Sequence, residues 1–225
     1  MYADDNAGIL VANGVYNGWT SLGLDLETGV TVTTPNWVYG IMDWTTSADN
    51  TNVQLIANGL LYPYIQQFKI YKCPSDIYLS SSQAAAGFSQ RVRSISINSY
   101  LLGSSPTNYT VDLFIQGYTT YVKQNALITP APSQMWVFAD ENADSIDDGW
   151  LFTLMSNTNE WNNLPGSYHN GACSFSFADG HNERHQWLSQ KTCHVVNYKE
   201  VAGTISDPGS PDLQWMYTHS SVPLP

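Results

Sequence analysis

The chain has 225 residues, enough to bury a substantial core, and it is read as one domain over 1–225. Only 12% of the residues are charged while 43% are hydrophobic and 13% aromatic, which excludes disorder driven by charge. With 19 acidic and 8 basic residues the net charge is −11, a field that opposes a phosphate backbone or an anionic membrane surface, so nucleic acid is excluded as a partner class.

The Asn-, Ser-, Thr- and Gly-rich, lysine-poor composition points to an extracytoplasmic compartment. No apolar run reaches the ~18 residues of a membrane helix, and MYADDNAG lacks the basic and apolar regions of a signal peptide. Met1 to Asn6 reads instead as the last turn of a helix that begins upstream, stopped by Asn6 and Gly8. Residues 13–50 lack periodicity and predict irregular structure with short helical pieces around 37–44. Residues 52–68 read as a helix broken near Asn58-Gly59 and Pro63. A CPSD turn at 73–76 follows. The stretch 91–103 then alternates Val92, Ser94 and Ser96 against Arg93, Ile95 and Ile97, as a half-buried strand does. After a polar excursion at 103–123, SQMWVFADE at 133–141 is a short apolar strand running into an acidic stretch. The Pro-rich tail from Asp207 has loop composition, with one edge strand expected at LQWMY, 213–217.

In YHNGACSFSFADGHNERHQW, 168–187, the dipeptides Asn170-Gly171 and Asp179-Gly180 are those that favour two-residue hairpin turns, predicting a three-stranded meander over 163–188. Its middle strand would carry Cys173, Phe175 and Phe177 on one face and Ala172, Ser174, Ser176 and Ala178 on the other, a small face suited to a close-packed helix or sheet. An extended strand of that length holds His169 and Asp179 about 20 Å or more apart, so they form no direct dyad. His169, Asn170, Gly171, Asp179 and Gly180 are therefore read as a structural turn motif. Beyond it, His181, Glu183 and His185 alternate on one strand face; they are either a polar face or a zinc set, though HNERH is not the helical zincin motif.

DENADSIDDG gathers Asp140, Glu141, Asp144, Asp147 and Asp148, with no basic residue between Lys123 and Arg184. Such carboxylates need a cation, a distant arginine or open solvent. A calcium site here would not be an EF-hand, because Ser145 and Leu151 stand where its Gly and Glu belong. Asp179 would join the loop if the two lie close in space. Of the three cysteines, Cys73 and Cys173 are the favoured disulfide, since Cys173 points into the same core as Phe175 and Phe177 while Cys193 lies beyond the meander.

MYADDN at the start, CPSD at 73–76, RSISINSY at 93–100, DENADSIDDG at 140–149 and SYHNGACSFSFADGH at 167–181 together resemble, in order, the prepilin-type, pseudopilin-like proteins with an H-X9-DG motif. The resemblance implies an α+β, type IV pilin-like fold: an antiparallel sheet with an N-terminal helix, mostly upstream of this chain, and a large loop-rich insertion. It also implies inner-membrane anchoring through that helix, then a periplasmic or cell-surface location and homo-oligomeric assembly with other pilin or pseudopilin subunits. Major pseudopilins of type II secretion systems are similar in holding a structural calcium in a late loop, which adds weight to a cation at the acidic loop.

Three functions are thereby expected to compete. The first is a non-catalytic structural subunit of a filament or secretion pseudopilus. A second is an extracellular glycan- or surface-binding module using Trp19, Trp37, Trp44 and Trp161. The third is metal-assisted hydrolysis at His181, Glu183 and His185.

Overall fold

The computed structural model describes residues 1–13, 35–103, 115 and 117–225. Its strands are β1 (Ile95–Asn98), β2 (Trp136–Asp140), β3 (Trp150–Leu151), β4 (Glu160–Trp161), β5 (Ala172–Phe177), β6 (Asn182–Gln186) and β7 (Ile205–Ser206). Five form one sheet in the order β3-β1-β2-β5-β6, and β4 pairs with β7 in a separate two-stranded ribbon. The large sheet is antiparallel except for the β1–β3 pair, which is parallel. Its helices are short: α1 (Tyr2–Asp5), α2 (Gln54–Ala57), α3 (Tyr62–Ile65), α4 (Ser81–Ala85) and α5 (Pro211–Ser220). No helix among the described residues is long and apolar enough to cross a membrane.

The two sheet faces carry two cores. Cys173, Phe175 and Phe177 bury into the larger one by period-two alternation along β5, and Trp136 joins Ala139 on the same face because β2 shifts register between Trp136 and Phe138. The cover on this side is α5, where an edge strand was expected. Ser210 caps the helix by accepting from the Leu213 amide, Pro211 opens its first turn with no amide to strand, and Asp212 sits where the helix N-terminus favours an anion. Leu213, Met216 and Tyr217 face the core, and the Trp215 ring lies 4.8 Å from Phe175. Burying side chains of this size contributes about 1.5–3 kcal/mol each. The LQWMY alternation was the weaker signal; the Ser-Pro-Asp start dictates a helix.

On the other face Ile97, Trp37, Tyr71 and Trp150 form a smaller core, with Trp37 stacked 5.9 Å from Tyr71 and edge-on to Phe138 at 5.4 Å. Residues 37–44 are not helical as expected. Alternate amides reach other segments, Trp37 N to Ala12 O, Tyr39 N to Leu55 O, Ile41 N to Asp49 Oδ2 and Asp43 N to Asn50 Oδ1, which interrupts any internal helical ladder. The 52–68 helix breaks at Asn58-Gly59 as expected, and Gly59 is required there because a Cβ would lie 2.1 Å from the Trp37 carbonyl oxygen. Pro63 starts α3 instead of interrupting it. At the N-terminus Gly8 N closes onto Ala3 O, a C-terminal helix cap, and Tyr2 packs edge-on against Tyr64 at 5.6 Å. Trp19 and most of the 103–123 excursion lie outside the described residues.

The expected meander is a hairpin, β5–β6, whose other neighbour is β2 and not residues 163–168. Strand β2 already occupies that edge, so Pro165 makes only an isolated bridge to Glu141. Asn170 and Gly171 both adopt positive φ, +57° and +74°, as the Asn-Gly turn demands. The second turn is longer than predicted: Phe177 N bonds His181 O, leaving Ala178, Asp179 and Gly180 as a three-residue loop with only Gly180 at positive φ.

Candidate functional site

Three segments far apart in sequence meet at the margin of the sheet. Cys73 lies just after the 3-10 turn Phe68–Tyr71, where its amide donates to Ser94 Oγ at 2.7 Å and its carbonyl accepts from Asp76 N. Asp140 ends β2, in register with Ile95, and its carbonyl accepts from Gly166 N at 2.7 Å. His169 opens the Asn170-Gly171 turn into β5, with its amide bonded to Ala172 O. The side chains converge. His169 Nε2 is 3.2 Å from Asp140 Oδ2 and 3.5 Å from Cys73 Sγ, and the three ligand-type atoms lie within 4.8 Å of one another.

Cys73 and Asp140 are buried, whereas the His169 side chain is 30% exposed and opens the cluster to solvent. Burial pushes the Cys73 thiol up, and the Asp140 charge adds to it. Burial likewise raises Asp140, against the hydrogen bond and charge of His169, which favour its carboxylate. Asp140 Oδ1 is buried with no hydrogen-bond partner. A Cys-His-Asp relay needs the cysteine on one imidazole nitrogen and the carboxylate on the other. Here both share Nε2, so the geometry gathers ligands around a point and does not pass a proton along a line.

The expected Cys73–Cys173 disulfide is not formed, and all three cysteines are thiols. Cys173 Sγ is turned to the backbone carbonyl of Asp140 at 3.4 Å, while Cys73 Sγ faces His169. The half-turn CPSD has a second role: buried Asp76 takes the Lys72 ammonium at 3.0 Å and Arg91 at 3.5 Å. Arg91 also lies 4.4 Å from the centre of the Trp44 ring.

The acidic loop is not solvated, and its carboxylates are not gathered at one point. Asp140 joins the cluster just described. Glu141 is fully buried and accepts from Ser145 Oγ at 2.9 Å. Asp144 turns to the 194–199 segment, accepting from the Asn197 and Lys199 amides and lying 3.0 Å from His194 Nε2. Asp147 and Asp148 fold back on the Asp148 and Trp150 amides. Asp179 is remote from all of these, exposed at the hairpin tip and paired with His181 Nδ1 at 2.6 Å. The distant arginine that the loop's charge called for is Arg93, wholly buried, held by Ser96 Oγ and the Ile95 and Asp147 carbonyls and attracted by Glu141, Asp148 and Asp147. Burial, then the neighbouring Asp147, pushes Glu141 well above the carboxylate range and Asp148 up to about 8.

The remaining expected sites separate. His181 stacks 4.3 Å from Phe177 and His185 stacks 4.0 Å from Trp215, each imidazole packed on a different ring. Glu183 approaches only His185, at 3.8 Å. Among the described residues the one group of three ligand-type side chains is Cys73, Asp140 and His169. Trp37 and Trp161 are core residues at 1% and 2% exposure, and Trp44 lies under Arg91, so these three offer no open stacking platform. Sequence reasoning missed Arg91, Arg93 and the pairing of His169. The available signal was two arginines at alternate positions before an apolar strand, in a chain with only 8 basic residues.

No protein-family profile, no curated protein and no solved structure matches the chain. What fold and site define is a domain of mixed helix and strand content on a mostly antiparallel five-stranded sheet, with a Cys-Asp-His cluster at its margin.

Proposed function

We propose that the chain is a non-catalytic structural subunit, the head of a membrane-anchored pilin- or pseudopilin-like protein that assembles with its own kind into a filament or secretion pseudopilus. The observation that carries this reading is how the H-X9-DG residues are used. His169 ties the start of β5 to β2 through Asp140, and Asp179-Gly180 turns its end into β6, so the motif brackets one strand instead of facing a substrate across a cleft. The ordered resemblance from MYADDN to the DG turn supports the same reading.

A further support is the small face of β5. Ser174 and Ser176 border an apolar cavity of about 370 Å³ with Leu61, Ile65, Tyr71 and Phe138, on the face opposite α5. The test is made in the native cell, by following the protein immunologically in sheared surface and membrane fractions with and without the prepilin peptidase. A filament subunit is expected in the sheared fraction, and to remain unprocessed in the membrane when the peptidase is deleted. A freely secreted monomer indifferent to that deletion would overturn the proposal.

A further inference from the structure

The geometry points to a transition-metal site at Cys73, Asp140 and His169 that takes a zinc-class divalent ion, independently of whether the chain assembles into a filament. Ligand spacing is the first argument. Zinc bonds run about 2.0–2.1 Å to nitrogen or oxygen and about 2.3 Å to sulfur, so tetrahedral placement sets N and O about 3.3 Å apart and N and S about 3.5 Å apart. The structure has 3.2 Å from Nε2 to Oδ2 and 3.5 Å from Nε2 to Sγ. Without an ion these edges ask a single imidazole nitrogen to serve a carboxylate and a thiol together, which one N–H cannot do well; with an ion each atom takes one vertex, the remaining edge, Sγ to carboxylate oxygen, lying within 4.8 Å before binding and closing to about 3.5 Å around the metal.

The second argument is support. Ligands of real sites are held by outer partners. The Cys73 backbone is fixed by Ser94 Oγ, and the Ser75 amide points at Sγ from 3.4 Å, stabilising a thiolate. Asp140 is fixed by its strand register and by Gly166 N, and His169 by the positive-φ turn that follows it. Asp140 Oδ1, buried and without a hydrogen-bond partner, leaves a carboxylate incompletely satisfied in a place where a cation would complete it. Donor chemistry is the third argument. A thiolate and an imidazole beside one carboxylate select zinc or cobalt and reject calcium and magnesium, which want oxygen ligands. Three protein ligands leave a fourth position for water, reached past the partly exposed His169.

Binding replaces the Cys73 S–H bond by an S–metal bond and releases that proton to solvent; imidazole and carboxylate donate lone pairs, and any proton held at either donor atom is released to solvent as well. The same thiol cannot serve the ion and a disulfide with Cys173.

The reduced, metal-stripped chain is titrated with Co²⁺ and followed by its sulfur-to-cobalt charge-transfer absorption, with Zn²⁺ displacement and proton release measured in parallel. One equivalent is expected, displaced by Zn²⁺ and unaffected by excess Ca²⁺. Cys73→Ser abolishes the charge-transfer band, and His169→Gln weakens binding by more than about tenfold, the lower end of the effect of removing even an outer-shell partner. His181→Ala, at the hairpin tip, binds as the parent does. Circular dichroism confirms that each variant is folded, and the half-exposed His169 is the substitution least able to disturb the core. Absence of the band in the reduced parent, a band that survives Cys73→Ser, or saturation by Ca²⁺ in place of Co²⁺ would overturn the assignment.

Discussion

The two ends of β5 look alike in sequence and are built differently. At the first, His169 meets Asp140 and Cys73, and one residue beyond Asp140 the buried Glu141 lies by Arg93, so the turn is wired into the interior. At the second, Asp179 and His181 satisfy each other at an exposed tip, and a Cβ on Gly180 would meet nothing. A histidine beside a glycine turn therefore has no fixed meaning; the segment brought opposite it assigns the role.

Five substitutions break or sharpen this contrast. The largest effect belongs to Arg93→Met, which takes the buried donor from the Ile95 and Asp147 carbonyls and Ser96 Oγ and is expected to cost about 1–3 kcal/mol in chemical denaturation for each acceptor left unsatisfied. Next come the two turn glycines. Gly171→Ala and Gly180→Ala each force alanine to positive φ, at about 1–2 kcal/mol. Gly171→Ala is expected to cost more, since its Cβ also approaches Gln186 Nε2 at 3.1 Å and Cys193 Sγ at 3.4 Å. Equal midpoints would mean that the two ends are equally free.

A smaller effect is pH-dependent. Asp148 titrates at about 8 in the folded chain because of burial and Asp147, against about 3.9 unfolded. The folded state thus holds a proton that the unfolded state has lost, and stability falls as pH rises from about 4 to about 8. Asp148→Asn keeps an acceptor for the Trp150 amide and removes this slope, so that its Tm exceeds the parent's near pH 8 and matches it near pH 4. The smallest effect is at the exposed tip, where Asp179→Asn is expected to leave the thermal midpoint indistinguishable from that of the parent.

Local signals explain what was legible beforehand. The apolar run at 136–140 and the Asn-Gly turn needed no partner to be recognised, because alternation and positive φ are properties of adjacent residues. The Ser210-Pro211-Asp212 start was equally local, and following the alternation of LQWMY over it produced a strand where α5 stands. The acidic loop shows where local reading ends. Its charge demanded compensation, and residue spacing had no means of saying that Arg93, more than forty positions earlier, would supply it.

The sequence by itself determined that the chain folds, that a buried strand runs into carboxylates, and that a tight turn opens the strand carrying Cys173, Phe175 and Phe177. Composition, period and turn chemistry act over a few residues, and those statements need no more. Only the tertiary structure decided that β2 and not residues 163–168 lies beside β5, that the arginines go inside with the acids, and that His169 faces Cys73 and Asp140. Convergence of side chains across 29 and 96 positions is set by strand order and by what each face can bury, and neither is written in the spacing of neighbours.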